Sequence, residues 1–315
     1  MKRVLVIVVS YNGMQWLDRC LGSVCTKSAV MGPKDGPMTA KSAQNEVMAP
    51  KDGPMTAVQA DLFVWDNDST DGSADFVAAN YPGAKLVRSA ENLGFSKPNN
   101  KGFEYAVKHG YDYVYLLNQD AWLETGALDK LVAAAQANPD YAVLSPLQMK
   151  DGYKELDKLF SIRYARALRA LGLTKPSVIV QLPFIMAAHS LVRVDAIRKV
   201  GPFDEDLFPF YGQDDDWCNR ARYHGLKIGV VPHARGVHDR AQRTEPKEKI
   251  IHRNYYTGSL VRLCDINRPL WERFCYVCLF TLVKAVKYHS TLVFKYFVQI
   301  CRQLPAVRAR RRRSR

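Results

Sequence analysis

The chain has 315 residues, enough for one large domain or two small ones. Hydrophobic residues make up 47% and charged residues 24%, which excludes a wholly disordered chain. A formal net charge of +14 calls for a polyanionic partner, whether nucleic acid, anionic lipid or a diphosphate ligand. Six arginines lie within residues 308–315, and such a run reads as a disordered tail. Seven cysteines in a chain this long and apolar do not make a disulfide scaffold, and a reducing compartment fits them better. Cys275 and Cys278 form a lone Cys-x-x-Cys inside an apolar run and read as packing rather than as a zinc or redox site. The apolar run 4–9 is too short for a signal peptide, and no stretch is long and apolar enough for a membrane span.

In chain order, 4–9 reads as a strand buried on both faces. Residues 14–24 have helical spacing, with Trp16, Leu17, Leu21 and Val24 on one side. Residues 30–40 and 47–57 read VMGPKDGPMTA and VMAPKDGPMTA. Two copies are too few for a solenoid, and their Pro and Gly discourage helix and strand. Residues 28–58 therefore read as a duplicated surface-loop insertion. Strands at 62–65, 85–88, 111–117 and 141–145 alternate with helices at 75–80, 99–110 and 128–137. That alternation implies a mostly parallel sheet with helices on both faces, binding ligands beyond the carboxyl ends of its strands. Three polar clusters fall at those ends: 10–12, 66–73 and 118–120. Beyond them come a strand at 187–192, a loop at 201–211, a helix at 214–223, a strand at 228–231, a polar loop at 233–240, and helix from 247 to near 304.

The run DNDSTDG at 66–72 imitates a calcium loop but lacks Gly at its sixth position and Glu at its twelfth. It suits a capping turn, and Asp66 at a strand end can also reach a ribose or a base. In NQD at 118–120, Asp120 could hold Mg²⁺ or Mn²⁺ with diphosphate and water completing the shell, although such a triplet alone is as readily a turn. The crowded carboxylates of QDDD at 213–216 raise one another's pKa, which suits a general base; they also suit a helix start. His238, with His233 near it, reads on its own as structural.

Taken in order, these motifs resemble glycosyltransferase family 2, the inverting enzymes of the GT-A fold, and most nearly its rhamnosyltransferase-like members. The residues that carry the resemblance are IVVSYNG at 7–13, WDNDSTDGS at 65–73, NLGF at 92–95 followed by NNKG at 99–102, LLNQD at 116–120, VGPFDE at 200–205, QDDD at 213–216 with Arg220 and Gly225, and His238. Gln213 stands where the family often has Glu, and Asn118 where many members have Asp. The resemblance implies an α/β, Rossmann-like GT-A catalytic domain at 1–245 and a C-terminal helical region at 246–315. It implies single displacement with inversion, using a nucleotide-diphosphate sugar of the dTDP-rhamnose or UDP-hexose type. Ser10, Tyr11, Asn12, Asp66, Asn67, Asn92, Gly94 and Asn118 would hold the donor. Asp120 and His238 would hold the divalent cation, Mg²⁺ or Mn²⁺. Asp214 would be the base, with Asp216 second, and Asp204, Glu205 and Trp217 would lie on the acceptor side.

Lys284, Lys287, Thr291, Lys295, Gln299 and Arg302 make one polar stripe on an otherwise apolar C-terminal helix. Such a helix suits the bilayer interface, and the alternative is packing on the core or on a second subunit. The expectation is a peripheral protein at the cytoplasmic face of the cell membrane, acting on a glycan or lipid-linked acceptor. A sugar nucleotidyltransferase would need a basic Gly-rich loop after the first strand, and none is there. A nucleic-acid or anionic-membrane binder acting through the basic tail is the non-enzyme alternative; acidic clusters at the ligand ends disfavour nucleic acid.

Overall fold

A computed structural model of the chain describes residues 1–24, 58–170, 179–239 and 246–314. The duplicated segment 30–57 lies outside the described residues. The elements run β1 (Arg3–Ser10), α1 (Met14–Gly22), β2 (Gln59–Asp66), α2 (Ser73–Asn80), β3 (Lys85–Arg88), α3 (Ser96–Lys108), β4 (Tyr113–Asn118), β5 (Ala121–Leu123) and α4 (Ala127–Ala137). They continue with β6 (Tyr141–Met149), α5 (Lys158–Ala170), β7 (Val180–Gln181), β8 (His189–Arg193), α6 (Val194–Val200), α7 (Gln213–Tyr223) and β9 (Lys227–His238). Last come α8 (Lys247–Ile251), a π-helical turn (His252–Thr257), α9 (Gly258–Cys264), α10 (Leu270–Tyr288), α11 (Leu292–Arg302) and α12 (Leu304–Arg313).

Among the described residues nine strands form one sheet in the order β3-β2-β1-β4-β8-β6-β9-β5, with β7 also on β9. Strands β1, β2, β3, β4, β6 and β9 share one direction, and β5, β7 and β8 oppose it. The period of two along β1 explains its unbroken apolar run. Val4, Val6 and Val8 enter a core with Leu17 and Leu21 of α1 and Leu131 of α4, while Leu5 and Ile7 enter the opposite core with Phe103 of α3. The chain leaves β1 for β2 on one side, and β4 lies on the other. This switch in strand order opens a crevice at the carboxyl ends of β1, β2 and β4.

Four expectations change. Strand β9 does not end at 231 in a loop; it bulges at 232–234, where Pro232 has no N–H to give, and re-forms its ladder with β6 at Arg235. His238 is therefore the last residue of a strand, opposite Ala121 of β5. The C-terminal helix is not continuous: it stops at Cys264, restarts after Pro269, and breaks again at His289, which sits at φ 46°. The polar stripe is thus divided between α10 and α11. The arginine-rich end is not a disordered tail but α12, with Arg310 and Arg311 buried. Cys275, read as a packing residue, is exposed, while Cys278 is half-buried.

Candidate active site

Backbone register brings Ser10 beside Asp66 and places Asn118 beside Val9. The Ser10 Oγ, Asp66 Oδ1 and Asn118 Oδ1 atoms are buried with no protein partner among the described residues. Each such atom costs about 1–3 kcal/mol unless something answers it, so three at one edge of a sheet indicate a polar ligand. Tyr11, just beyond, keeps an exposed ring while its backbone is fastened. Its N–H donates to Gln119 Oε1 at 2.8 Å, and Gln119 Nε2 donates to its carbonyl at 3.1 Å. Gly13 leaves room for this clamp, because a Cβ there would lie 2.3 Å from Gln119 Oε1.

The other strand-end residues are spent on the loops. The Asn12 carbonyl oxygen Oδ1 accepts from Thr70 N–H at 2.9 Å. Ser73 Oγ and Asp71 Oδ2 accept from the N–H groups of Gly13 and Met14 and so tie the loop to the start of α1, while the N-cap of the following α2 is Gly72, which has no side chain to cap with. Asn67 is buried, accepting from Trp65 Nε1 and Leu93 N–H and donating to the Gly94 carbonyl, so its side chain braces the loop. Asn92 Oδ1 accepts from Gly94 N–H in the same turn. Gly94 is held at φ 79° with its would-be Cβ 2.6 Å from the Pro209 carbonyl, so it sets the approach of the 208–210 loop rather than touching a ligand itself.

Asp120 and His238 are brought together across the β5–β9 pair, with Nε2 3.4 Å from Oδ1. His238 Nδ1 is buried without a protein partner. Among the described residues no group of three His, Cys, Asp or Glu could hold a metal ion. The set is one carboxylate and one imidazole, whose Nε2 faces that carboxylate. That fits a cation which takes most of its ligands from a diphosphate and water, and the imidazole suits Mn²⁺ better than Mg²⁺. His189, which sequence reasoning missed, fixes the backbone beside it. Burial pushes its pKa down to about 3, so it is neutral. Its Nε2–H donates to the Val237 carbonyl at 2.8 Å, because a carbonyl can only accept, and its Nδ1 accepts from Tyr115 Oη at 2.8 Å.

A cavity of about 1010 Å³ joins this edge to α7. Asn118 and His238 line one end, and Asp214 and Asp215 project from the first turn of α7. Residues 187 and 188 bridge the two ends: Asn118 N–H donates to the Ala188 carbonyl at 3.1 Å, and Ala187 N–H donates to Asp214 Oδ2 at 3.1 Å. Burial raises the Asp214 pKa against these backbone donors. Burial and then the Asp214 charge push Asp215 to about 7. The sequence reading named Asp214 and Asp216 and passed over Asp215, although crowding was the signal for all three.

Asp216 does not reach this cavity. It is 1% exposed, and its Oδ2 accepts from Arg220 Nε at 3.0 Å and from Arg310 Nη2 at 2.9 Å, so a second base there is ruled out by its neighbours. The residues expected on the acceptor side also face elsewhere. Asp204 pairs with Arg310 at 2.9 Å, Glu205 accepts from Asn100 Nδ2 at 2.9 Å, and Trp217 Nε1 donates to the Gly201 carbonyl at 2.8 Å. Together they anchor α7 and so aim Asp214. The cavity lining includes instead Arg163 of α5, Arg253 and Arg262, with Phe210 and Tyr211. No local sequence signal separates those arginines from surface ones.

A Rossmann-like sheet with a cation-ready Asp–His pair at its strand ends and an acid on a facing helix defines a GT-A type glycosyltransferase. The Glycosyl transferase family 2 model matches residues 5–201, and the chain belongs to that family. The chain is 28% identical over 236 residues to the N-acetylglucosaminyl-diphospho-decaprenol L-rhamnosyltransferase of Mycobacterium tuberculosis, covering 66% of this chain and 75% of the relative. It is 20% identical over 185 residues to the dTDP-rhamnosyl transferase RfbF of Shigella flexneri, covering 59% of this chain and only 56% of that relative. Among solved structures, the mannosyltransferase PcManGT of Pyrobaculum calidifontis in complex with GDP-Man and Mn²⁺ superposes with TM-score 0.56 at 15% identity, over 99% of this chain and 85% of the other. Residues 1–349 of S. aureus TarS in complex with UDP superpose with TM-score 0.52 at 15% identity, over 89% and 70%. These likenesses show the fold.

Proposed function

We propose that the chain moves a sugar, with inversion, from a nucleotide-diphosphate donor of the dTDP-rhamnose or UDP-hexose type to a hydroxyl of a lipid-linked acceptor. The single observation that carries the reading is the cavity running from Asn118 and His238 to Asp214. In this reading the nucleoside lies over Tyr11 and answers the orphaned Ser10 and Asp66 atoms, and the donor diphosphate lies at Asp120 and His238. A divalent cation bound there would supply Lewis-acid stabilisation of the leaving diphosphate. Asp214, held by the N–H groups of Ala187 and Asp215, takes the proton from the acceptor hydroxyl as its oxygen bonds to the anomeric carbon and the bond to diphosphate breaks. The rhamnosyl preference and the diphospholipid class of acceptor rest on the names of the relatives. Calorimetric titration with dTDP-, UDP- and GDP-sugars should show one nucleotide class binding in a Mn²⁺-dependent way. Asp120→Asn should weaken that binding at least tenfold. A folded protein that binds none of them would overturn the reading.

Among the described residues no helix is long and apolar enough to cross a membrane. Helix α10, however, turns Trp271, Leu279, Leu282, Val283 and Val286 outward, with Trp271 70% and Val286 72% exposed. Lys284 and Lys287 lie on the same helix. An apolar face with adjoining ammonium groups suits an anionic bilayer surface. Leu279→Ser/Val286→Ser should reduce co-flotation with phosphatidylglycerol vesicles several-fold and leave nucleotide titration unchanged. Equal flotation of variant and wild type would show that this face does not contact lipid.

A further inference from the structure

The cavity has a basic part of its lining that the donor reading above leaves without a role. Arg163, Arg253 and Arg262 line its wall beside Asp214 and Asp215, and they come from α5, the π-helical turn and α9, not from the strand ends that carry Asn118 and His238. Each guanidinium lies against an aromatic ring. Arg163 is 5.1 Å from the Phe184 ring centre, Arg253 is 5.6 Å from that of Tyr211, and Arg262 is 4.7 Å from that of Phe280. An aromatic face orients a guanidinium but does not neutralise its charge. Among the described residues neither Arg163 nor Arg262 forms an ion pair with a carboxylate. Leu159, Phe184, Met186 and Val261 supply apolar surface between the charges.

The position of Arg262 relative to α10 extends the site outward. Arg262 also lies 5.4 Å from the Tyr276 ring centre, and Tyr276 is one of the exposed residues of α10, together with Leu279 and Val283. The basic wall of the cavity is thus continuous with the outward apolar face. A ligand that suits this surface carries an acidic group at the arginines and a hydrocarbon chain leading along α10, with its sugar hydroxyl facing Asp214.

We infer that Arg163, Arg253 and Arg262 form the binding site for the diphosphate that joins the acceptor sugar to its lipid, separate from the donor diphosphate site at Asp120 and His238. This inference rests on the transferase reading above, but its test does not require transfer. The probes are farnesyl diphosphate, farnesol, inorganic pyrophosphate and the nucleotide found to bind in the donor titration, each measured by calorimetry with detergent-free protein. Farnesyl diphosphate should bind the wild type and lose about tenfold or more in affinity in Arg163→Gln/Arg262→Gln, since charge-assisted hydrogen bonds to phosphate are lost. Farnesol should bind both proteins alike, and nucleotide affinity should stay within about twofold. Arg163→Gln alone, on an exposed helix surface, guards against a folding defect and should give part of the loss. Equal loss of nucleotide affinity would assign the arginines to the donor diphosphate instead. Unchanged farnesyl diphosphate affinity, or equal loss for farnesol, would overturn the site. Failure of every nucleotide to bind would sink the transferase reading while leaving the lipid-diphosphate result legible on its own.

Discussion

Asp214→Asn is expected to lower the transfer rate about 10²- to 10⁴-fold, the range removed with a general base, while nucleotide affinity stays within about twofold. Asparagine keeps the shape and an acceptor oxygen for the Ala187 N–H, which lies 3.1 Å from Asp214 Oδ2, but it cannot take a proton. Loss of nucleotide binding in this variant would make Asp214 a donor-site residue and sink its role as base. The same carboxylate pair sets the pH profile. Burial raises both acids, and each opposes ionisation of the other, with Asp215 pushed to about 7. Because the base must be ionised to act, the rate should rise with pH along a limb that lies above the usual carboxylate range. Asp215→Asn removes the like charge, makes Asp214 easier to ionise, and should move that limb to lower pH. An unmoved limb would show that the limb belongs to another group.

Arg310→Met is expected to destabilise the protein by about 3 kcal/mol, the low end of the cost of breaking a buried ion pair from one side. Arg310 is 8% exposed and reaches Asp204 and Asp216 at 2.9 Å each, joining α12 to the loop before α7 and to α7 itself. The low end applies because Asp216 keeps Arg220 at 3.0 Å and Asp204 keeps Arg313 at 3.6 Å. Urea denaturation followed by tryptophan fluorescence gives the measurement. Adding Asp204→Asn to Arg310→Met should recover part of the loss, because the buried charge left with only the exposed Arg313 beside it is then removed as well. A single variant within about 0.5 kcal/mol of wild type would mean that α12 is only loosely docked.

These arginines also revise the meaning of the net charge. The basic end was expected to need an outside polyanion, yet Arg310 finds carboxylates within the chain and Arg311 donates to the Leu263 and Asp265 carbonyls at 2.9 and 2.5 Å. The charge facing outward is correspondingly smaller than the tail composition implies. That weakens the non-enzyme reading, which depended on a free basic tail. Interaction with an anionic surface then rests on α10 and its lysines rather than on the last residues.

What the sequence determined by itself is local or periodic. The two-faced burial of β1 followed from its unbroken apolar run, and the helices of the first half followed from apolar spacing, because burial of a strand or a helix face depends on neighbours two to four residues away. The strand-end placement of Ser10, Asp66, Asn118 and Asp120 was legible for the same reason, since polar residues that terminate apolar runs mark where a sheet meets solvent. Only the tertiary structure decided what depends on partners far apart in the chain. Asp214 and Asp216 look equivalent in QDDD, but two residues turn an α-helix by about 200°, so one faces the cavity while the other meets Arg310, 94 residues away. The neutral His189 behind His238, the arginine wall and the docking of α12 are all contacts of that kind. Their energies come from burial and from charges brought together by folding, which no local pattern of residue types encodes.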